Sequence, residues 1–252
     1  MVHRGPDAGG SWESPADADG RGCLFAHRRL SILDLSHAAD QPMTDAVGGQ
    51  TIVFNGEIYN YIELREALQR SGQTFTSSGD TTVMLRALVT QGPEACATLR
   101  GMFAFALWDP KTRQLTVARD PHGIKPLYLC QNPDPQGDWS LLFSSEVRSI
   151  LASGLIGKPR LDPRAVASVV WNGFVMGPGT AIKGVESLPP GDVRGYDARG
   201  RQKSAKTFWS MPDADQPKTD SRDELRHALR ECVRLHLASD VPLGVFLSGG
   251  VD

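Results

Sequence analysis

Residues 102–120 read "MFAFALWDPKTRQLTVARD", and no other stretch restricts the fold of this chain as much. Two apolar runs flank the polar turn Pro110-Lys111-Thr112-Arg113, so an antiparallel hairpin is expected. "PLYLCQ" and "WSLLFSSE", split by "NPDPQGD", predict a second hairpin. Helices are expected in clusters between the strands. "YIELREALQRSG" puts Tyr61, Leu64 and Leu68 on one face and ends at Gly72; "DTTVMLRALVTQG" opens at Asp80, a candidate N-cap, and ends at Gly92. Pro93 opens a short third helix ending near Gly101, and "EVRSILASG" forms another. Strands that meet in hairpins, with helices grouped between them, predict an α+β layered domain rather than a doubly wound one.

From Gly154 to Pro217 the texture changes. A helix, "DPRAVASVVWNGF", precedes Gly- and Pro-dense segments such as "GPGTAIKGVESLPPGD". The polar stretch 211–223, "MPDADQPKTDSRD", reads as a domain boundary. Beyond it "DELRHALRECVRLHL" is an amphipathic helix, with Leu225, Leu229, Cys232, Val233 and His236 on one side and capping-box spacing between Ser221 and Glu224. Then Val245-Phe246-Leu247 runs into Ser248-Gly249-Gly250, a strand feeding a Gly-rich turn of the kind that cradles phosphate. The expected organisation is a first domain over 1–153, a connector with a hairpin over 154–217, and the start of a second domain over 218–252.

A net charge of −2 gives no reason to expect nucleic acid or an acidic membrane surface as a partner. No apolar run approaches the roughly 20 residues that span a bilayer, and the N-terminus lacks a signal-peptide pattern. Cys23, Cys96, Cys130 and Cys232 lie far apart, form no C-x-x-C pair, and read as small buried hydrophobes in a reducing cytoplasm.

Several short stretches carry chemistry. In "AHRRLSILD" (26–34), Arg28 and Arg29 interrupt an apolar run, and strand alternation turns one of them inward. A buried Arg needs an anion, either a structural carboxylate or a substrate's. In "FNGEIYNY" (54–61), Asn55-Gly56 reads first as a turn. An Asn amide beside a free Gly N–H also makes the pair of donors that a developing oxyanion requires. Asp80 in "SSGD" either caps a helix or binds an ammonium group. Together these describe a site for an amino acid with a reactive carbonyl.

The ordered set "HRGPDAGG", "AHRRLSILDLS", "QPM", "VFNGEIYNY", "SSGDTTVML", "RGMFAFALWD", "ARDPHGIKPLY", "FSSEVRSIL", "LPPGD" and "VPLGVFLSGGVD" resembles the glutamine-hydrolysing asparagine synthetases across nearly the whole chain. The resemblance implies an N-terminal-nucleophile glutaminase domain, a sandwich of two antiparallel sheets between helix layers, over 1–153. It implies the first helix and strand of an α/β ATP-pyrophosphatase (synthetase) domain from 218. Glutamine hydrolysis in the first domain would supply ammonia for ATP-dependent amidation of aspartate in the second. By the same resemblance Arg29 would hold the glutamine α-carboxylate, with Leu30, Ser31, Ile32 and Leu33 as the adjoining wall. Asp80 would take the α-amino group. Asn55 and the Gly56 N–H would form the oxyanion hole, beside Glu57, with Arg4 and Gly5 next to the nucleophile. Leu247, Ser248, Gly249, Gly250 and Asp252 match the start of the loop that holds ATP pyrophosphate. The intact family protein uses ATP and Mg²⁺, with glutamine, aspartate and ATP as its partners and a homodimer as one option.

The sequence departs from the family pattern at both ends. The family nucleophile is a cysteine directly after the initiator methionine, and here residue 2 is Val2. None of the four internal cysteines has the free α-amine that serves as base in that chemistry. The first strand of the family would run through the middle of a sheet, and its loss is expected to leave unpaired backbone. Gly79 stands where the family has Ser, and the Ser after Asp252 is absent. The expectation is therefore a fragment without glutaminase or synthetase activity, holding neither ATP nor metal. Two alternatives remain: a relative that amidates another carboxylate acceptor, such as a sugar acid or a peptide, or a non-catalytic glutamine-binding remnant.

Overall fold

A computed structural model of the chain describes residues 1–212, 222–245 and 249. The strands, in chain order, are β1 (Ala8–Glu13), β2 (Leu24–Arg29), β3 (Met43–Thr44), β4 (Thr51–Ile58), β5 (Gly101–Asp109), β6 (Gln114–Arg119), β7 (Tyr128–Gln131), β8 (Leu141–Ser144), β9 (Val185–Ser187), β10 (Asp192–Asp197) and β11 (Gln202–Thr207). The helices are α1 (Tyr61–Arg70), α2 (Asp80–Gln91), α3 (Val147–Ala152), α4 (Pro163–Asn172) and α5 (Arg222–His236). A 3-10 helix over Gly92–Thr98 fills the place of the short helix expected after Pro93.

The hairpin expected at 102–120 is β5–β6, the centre of a six-stranded antiparallel sheet ordered β11-β10-β6-β5-β4-β3. Side chains alternate across it with period two. Ile52, Phe54, Phe103, Phe105 and Leu107 pack on one side against Leu68 of α1 and Val83, Met84 and Leu88 of α2. Val53, Ala104, Ala106, Trp108 and Val117 pack on the other against Phe25 of β2, Leu129 of β7 and Leu188. A strand buried on both faces has to be apolar at every position, which is why "FAFALW" shows no alternation. The second layer is two separate sheets, β1–β2 and β8–β7–β9, rather than one continuous sheet. Cys130 and Val185, on the outer face of that layer, meet Ile150 of α3. The order helix, sheet, sheet, helix is the α+β sandwich that the hairpins and clustered helices predict.

Several local expectations change. Asn55-Gly56 is not a turn: β4 continues through both residues, paired with Ala104 and Phe103 of β5. The glycine is required by close approach, because a Cβ on Gly56 would collide with the Met102 carbonyl oxygen. The N-cap of α2 is Gly79, and Asp80 is the first helical residue. The hairpin expected in 154–217 is β10–β11, and it extends the large sheet by pairing with β6. Cys96 and Cys130 are buried, Cys23 is half-buried, and Cys232 is exposed on α5, contrary to expectation. Ser221 of the capping box and Phe246-Leu247 of the last strand lie outside the described residues; Val245 is described and is not in a strand. No helix among the described residues is long and apolar enough to cross a membrane.

Candidate functional site

A cavity of about 520 Å³ opens where β2 and the loop after it pass the middle of β4. Arg29, Leu30, Ile32, Leu33, Asn55, Gly56, Glu57 and Asp80 line it together, with Arg4, His27 and Lys125. Two residues singled out from the sequence do not line it. Ser31 turns its N–H to Asp7 Oδ2 at 2.8 Å. Gly5 lies behind the wall, where a Cβ would collide with the Arg28 carbonyl carbon.

Arg29 ends β2 on its inward face, and alternation turns Arg28 the other way, onto the Gly5 and Pro6 carbonyls at 2.9 and 3.3 Å. The Arg29 guanidinium gathers the following loop around itself. Nη1 donates to the Ser36 carbonyl at 3.0 Å and to Asp40 Oδ1 at 2.9 Å; Nη2 donates to the Leu33 carbonyl at 3.0 Å and to that of Asp34. Asp34, at φ 50°, organises the same loop from the opposite charge. Its Oδ2 accepts from Ser77 Oγ at 2.6 Å, Ser78 N at 2.9 Å and Gly79 N at 3.2 Å, and its Oδ1 accepts from Ser36 N at 3.1 Å. Burial opposes ionisation of Asp34, but hydrogen bonds from Ser36, Ser77 and Ser78 outweigh it and hold the carboxyl well below the usual range. The loop is thereby tied to the residues that introduce Asp80.

Asp80 is buried, and Ile58 N donates to its Oδ2 at 2.9 Å. Burial pushes its carboxyl up. Glu57 is also pushed up, first by burial and then by the nearby Asp80 charge. Two carboxyls that burial pushes up in one cavity favour a cation beside them, such as an ammonium group. His27, across the cavity, makes a 3.0 Å hydrogen bond to the Phe54 carbonyl through Nε2 while its buried Nδ1 has no partner. Burial pushes its pKa down and keeps the ring neutral.

Asp34 and Asp120 hold the loops of the cavity wall, and neither stands out in the sequence. Asp120 is fully buried and accepts from Phe103 N, His122 N, Ile124 N and Lys125 N at 2.9–3.2 Å. It fixes the loop whose Ile124, Lys125 and Pro126 line the cavity. The available signal was an Asp followed by Pro and Gly in "ARDPHG", which reads equally well as an ordinary turn. None of the four cysteines lines the cavity. Of the residues expected at an ATP site only Gly249 is described; Leu247, Ser248, Gly250 and Asp252 lie outside the described residues. Among the described residues no cluster of three or more His, Cys, Asp or Glu could hold a metal ion.

Residues 1–209 match the family model described as "Glutamine amidotransferase domain". The chain belongs to the glutamine amidotransferase domain family. Residues 224–252 match a second model, "Asparagine synthase". The whole chain is 37% identical over 264 residues to a putative glutamine-hydrolysing asparagine synthetase of Mycobacterium tuberculosis strain H37Rv, and covers 39% of that protein. It is 37% identical over 253 residues to asparagine synthetase [glutamine-hydrolyzing] 1 of Bacillus subtilis, covering 38% of it. It is 35% identical over 258 residues to "Amidase chry2" of Gibberella zeae, covering 36% of it. The chain thus spans about two fifths of the length of these relatives. The glutamine phosphoribosylpyrophosphate amidotransferase of B. subtilis shares the fold: TM-score 0.51 at 21% identity, over 77% of this chain and 36% of that one.

Proposed function

We propose that the cavity is a glutamine site, and that the intact protein hydrolyses glutamine to supply ammonia for ATP-dependent amidation of aspartate to asparagine. The observation that carries the reading is the convergence of Arg29, Asn55, Gly56 and Asp80 on one cavity. The guanidinium at one side suits an α-carboxylate and buried Asp80 suits an α-amino group. The Asn55 amide and the Gly56 N–H are the donors for an oxyanion formed at the side-chain carbonyl. Glu57, Leu30, Ile32 and Leu33 complete the walls, with Ser31 behind them. The proposed division is a glutaminase unit over 1–153, a connector over 154–217 and the start of a synthetase unit from 218. ATP and Mg²⁺ belong to the synthetase part of the proposal, with Leu247 to Asp252 as its first contacts. A cytoplasmic location is supported by four cysteines that form no disulfide.

The cavity walls carry no thiol, so the 252-residue chain is expected to bind L-glutamine without releasing ammonia. Calorimetry on the chain tests this. The expected result is saturable heat with L-glutamine that falls about a hundred-fold in affinity in Asp80→Asn, the scale of losing one partner of a buried charge pair. The same variant is expected to be more stable than the wild type at pH 7, because a carboxylate whose pKa burial has raised is costly when ionised. That advantage shrinks once the pH falls below the raised folded-state pKa of Asp80 and is gone below the ordinary carboxylate value of about 4. No heat from the wild-type chain at millimolar L-glutamine would sink the reading. A second reading, amidation of a different carboxylate, is kept because the relatives include a protein not named as an asparagine synthetase; it changes the acceptor and leaves the glutamine site as it is.

A further inference from the structure

The exit of α5 reaches back to the outside of the cavity wall. Along α5 the apolar side chains Leu225, Leu229 and Val233 are exposed, so its seating here owes little to burial of that face. The specific contacts are polar and aromatic. The His236 ring sits 4.2 Å from that of Tyr59, one residue beyond β4. Further on, Asp240 makes a reciprocal pair with the loop after β2. Its N–H donates to the Ile32 carbonyl at 2.9 Å, and its Oδ2 accepts from the Asp34 N–H at 2.7 Å. A local turn presents Asp240: Ser239 Oγ donates to the Val241 carbonyl at 2.9 Å and accepts from Val241 N at 3.1 Å.

The loop residues involved are the cavity wall itself. Ile32 and Leu33 line the cavity, and Asp34 joins that wall to Ser77–Gly79 ahead of Asp80. Arg29 takes the carbonyls of Leu33 and Asp34 from inside. Asp240 takes the Ile32 carbonyl and the Asp34 N–H from outside, so the wall is clamped between a residue of β2 and one 206 positions away from Asp34.

We propose that Asp240 is a positioning residue for the glutamine cavity: it pins the Ile32–Asp34 wall, and so links ligand occupancy to the seating of residues 237–245. The ligand's identity rests on the glutamine reading above; the pin does not. Linkage makes the coupling reciprocal, so a ligand that favours the pinned wall must also favour the docked exit of α5. Residues 224–252 are those matched by the asparagine synthase model, so the pin couples the glutamine cavity to the first segment of that part of the chain.

Residue-resolved amide hydrogen exchange on the whole chain, with and without L-glutamine, tests this in three forms: wild type, Asp240→Ala and Asp240→Asn. In Asp240→Ala the Asp34 amide is expected to exchange about ten-fold faster, the scale of one hydrogen bond to a charged acceptor. The Ile58 amide, held by Asp80, is expected to be unaffected. Asp240→Asn, which keeps an acceptor oxygen, is expected to restore Asp34 protection. Glutamine affinity is expected to fall about five-fold in the Ala variant and to return in the Asn variant. Equal Asp34 exchange in wild type and Asp240→Ala overturns the pin, and equal acceleration at Asp34 and Ile58 reduces Asp240 to a general stability role and overturns it too. A faster Asp34 amide with unchanged glutamine affinity overturns the link to the ligand. If the wild type binds no glutamine, the functional reading fails, and Asp34 exchange without ligand still decides the pin.

Discussion

Gly56→Ala is the sharpest test of how β4 builds the cavity. A Cβ there would collide with the Met102 carbonyl oxygen and lie 2.8 Å from Phe103 Cα and 2.9 Å from Phe54 Cε2. Carbon atoms pack best at about 3.5–4.0 Å, so relief needs a movement of roughly 1 Å. Two of the three obstacles are backbone atoms of β5, and Phe103 is the register partner of Gly56, so neither can rotate away. The strands would have to part in the centre of the sheet. Overpacking of this kind costs about 1–3 kcal/mol, and holding Ala at φ 153° adds about 1–3 kcal/mol. A loss of about 4 kcal/mol is expected, against a total of about 5–15 kcal/mol for a domain.

Urea unfolding followed by tryptophan fluorescence measures the loss. With a slope of about 3 kcal/mol per molar urea, the midpoint should fall by roughly 1.3 M. Gly72→Ala is the control. Gly72 also has positive φ, at 88°, but nothing lies within 4 Å of its Cβ position. It should lose only about 1 kcal/mol, the conformational part alone. If Gly56→Ala loses no more than Gly72→Ala, the close approach of β4 to β5 is not what demands glycine, and the turn reading of Asn55-Gly56 returns.

Asp34→Asn keeps a residue type that tolerates φ 50° but turns an NH₂ group toward N–H and O–H donors, and should cost about 2–3 kcal/mol at pH 7. Because the native carboxyl is held below its ordinary range, wild-type stability is fully present above about pH 4 and is lost as the pH falls toward the depressed value. Urea midpoints at pH 7, 5, 4 and 3 should show the gap between the two proteins intact at 7 and 5 and narrowing only below 4; a gap that closes between 7 and 5 contradicts the network. Thiol labelling of the native chain should find one fast site, the exposed Cys232, and all four in urea. Burial pushes the thiols of Cys23 and Cys96 up to about 12 and raises that of Cys130, so a second fast thiol in the native chain contradicts the packing.

What the sequence made legible follows from the range of the forces involved. The hairpin β5–β6 was readable because its turn lies between its strands, and the end of α2 because Gly92 directly follows it. Long-range pairing was not readable. Nothing local to 192–207 says that β10 joins β6 in the large sheet, or that the second layer divides into two sheets. Asn55-Gly56 misled for a related reason. Glycine serves a turn and a close strand crossing equally well, and only the partner strand tells them apart. The cavity-lining Arg29, Asn55, Gly56 and Asp80 were singled out by chemical type. Asp34 and Asp120 were missed because a carboxylate that accepts four or more N–H and O–H groups looks, in one dimension, like a turn aspartate.

The charges around the cavity divide by what already satisfies them. A buried arginine left two readings open, a structural anion or a ligand's. Arg29 has Asp40 and three main-chain carbonyls on its two terminal nitrogens, so its first role is to shape the wall. A ligand carboxylate would add to that set or compete with Asp40, which is half-exposed and tied also to His37 at 2.9 Å. Asp34 is likewise satisfied by Ser36 and by Ser77 to Gly79. Asp80 and Glu57 are different: burial pushes both carboxyls up, and the Asp80 charge adds to it at Glu57. Their destabilisation is what a bound cation would relieve. The strongest selectivity in this cavity therefore lies at its acidic end, and a ligand without an ammonium group should lose more affinity than one without a carboxylate.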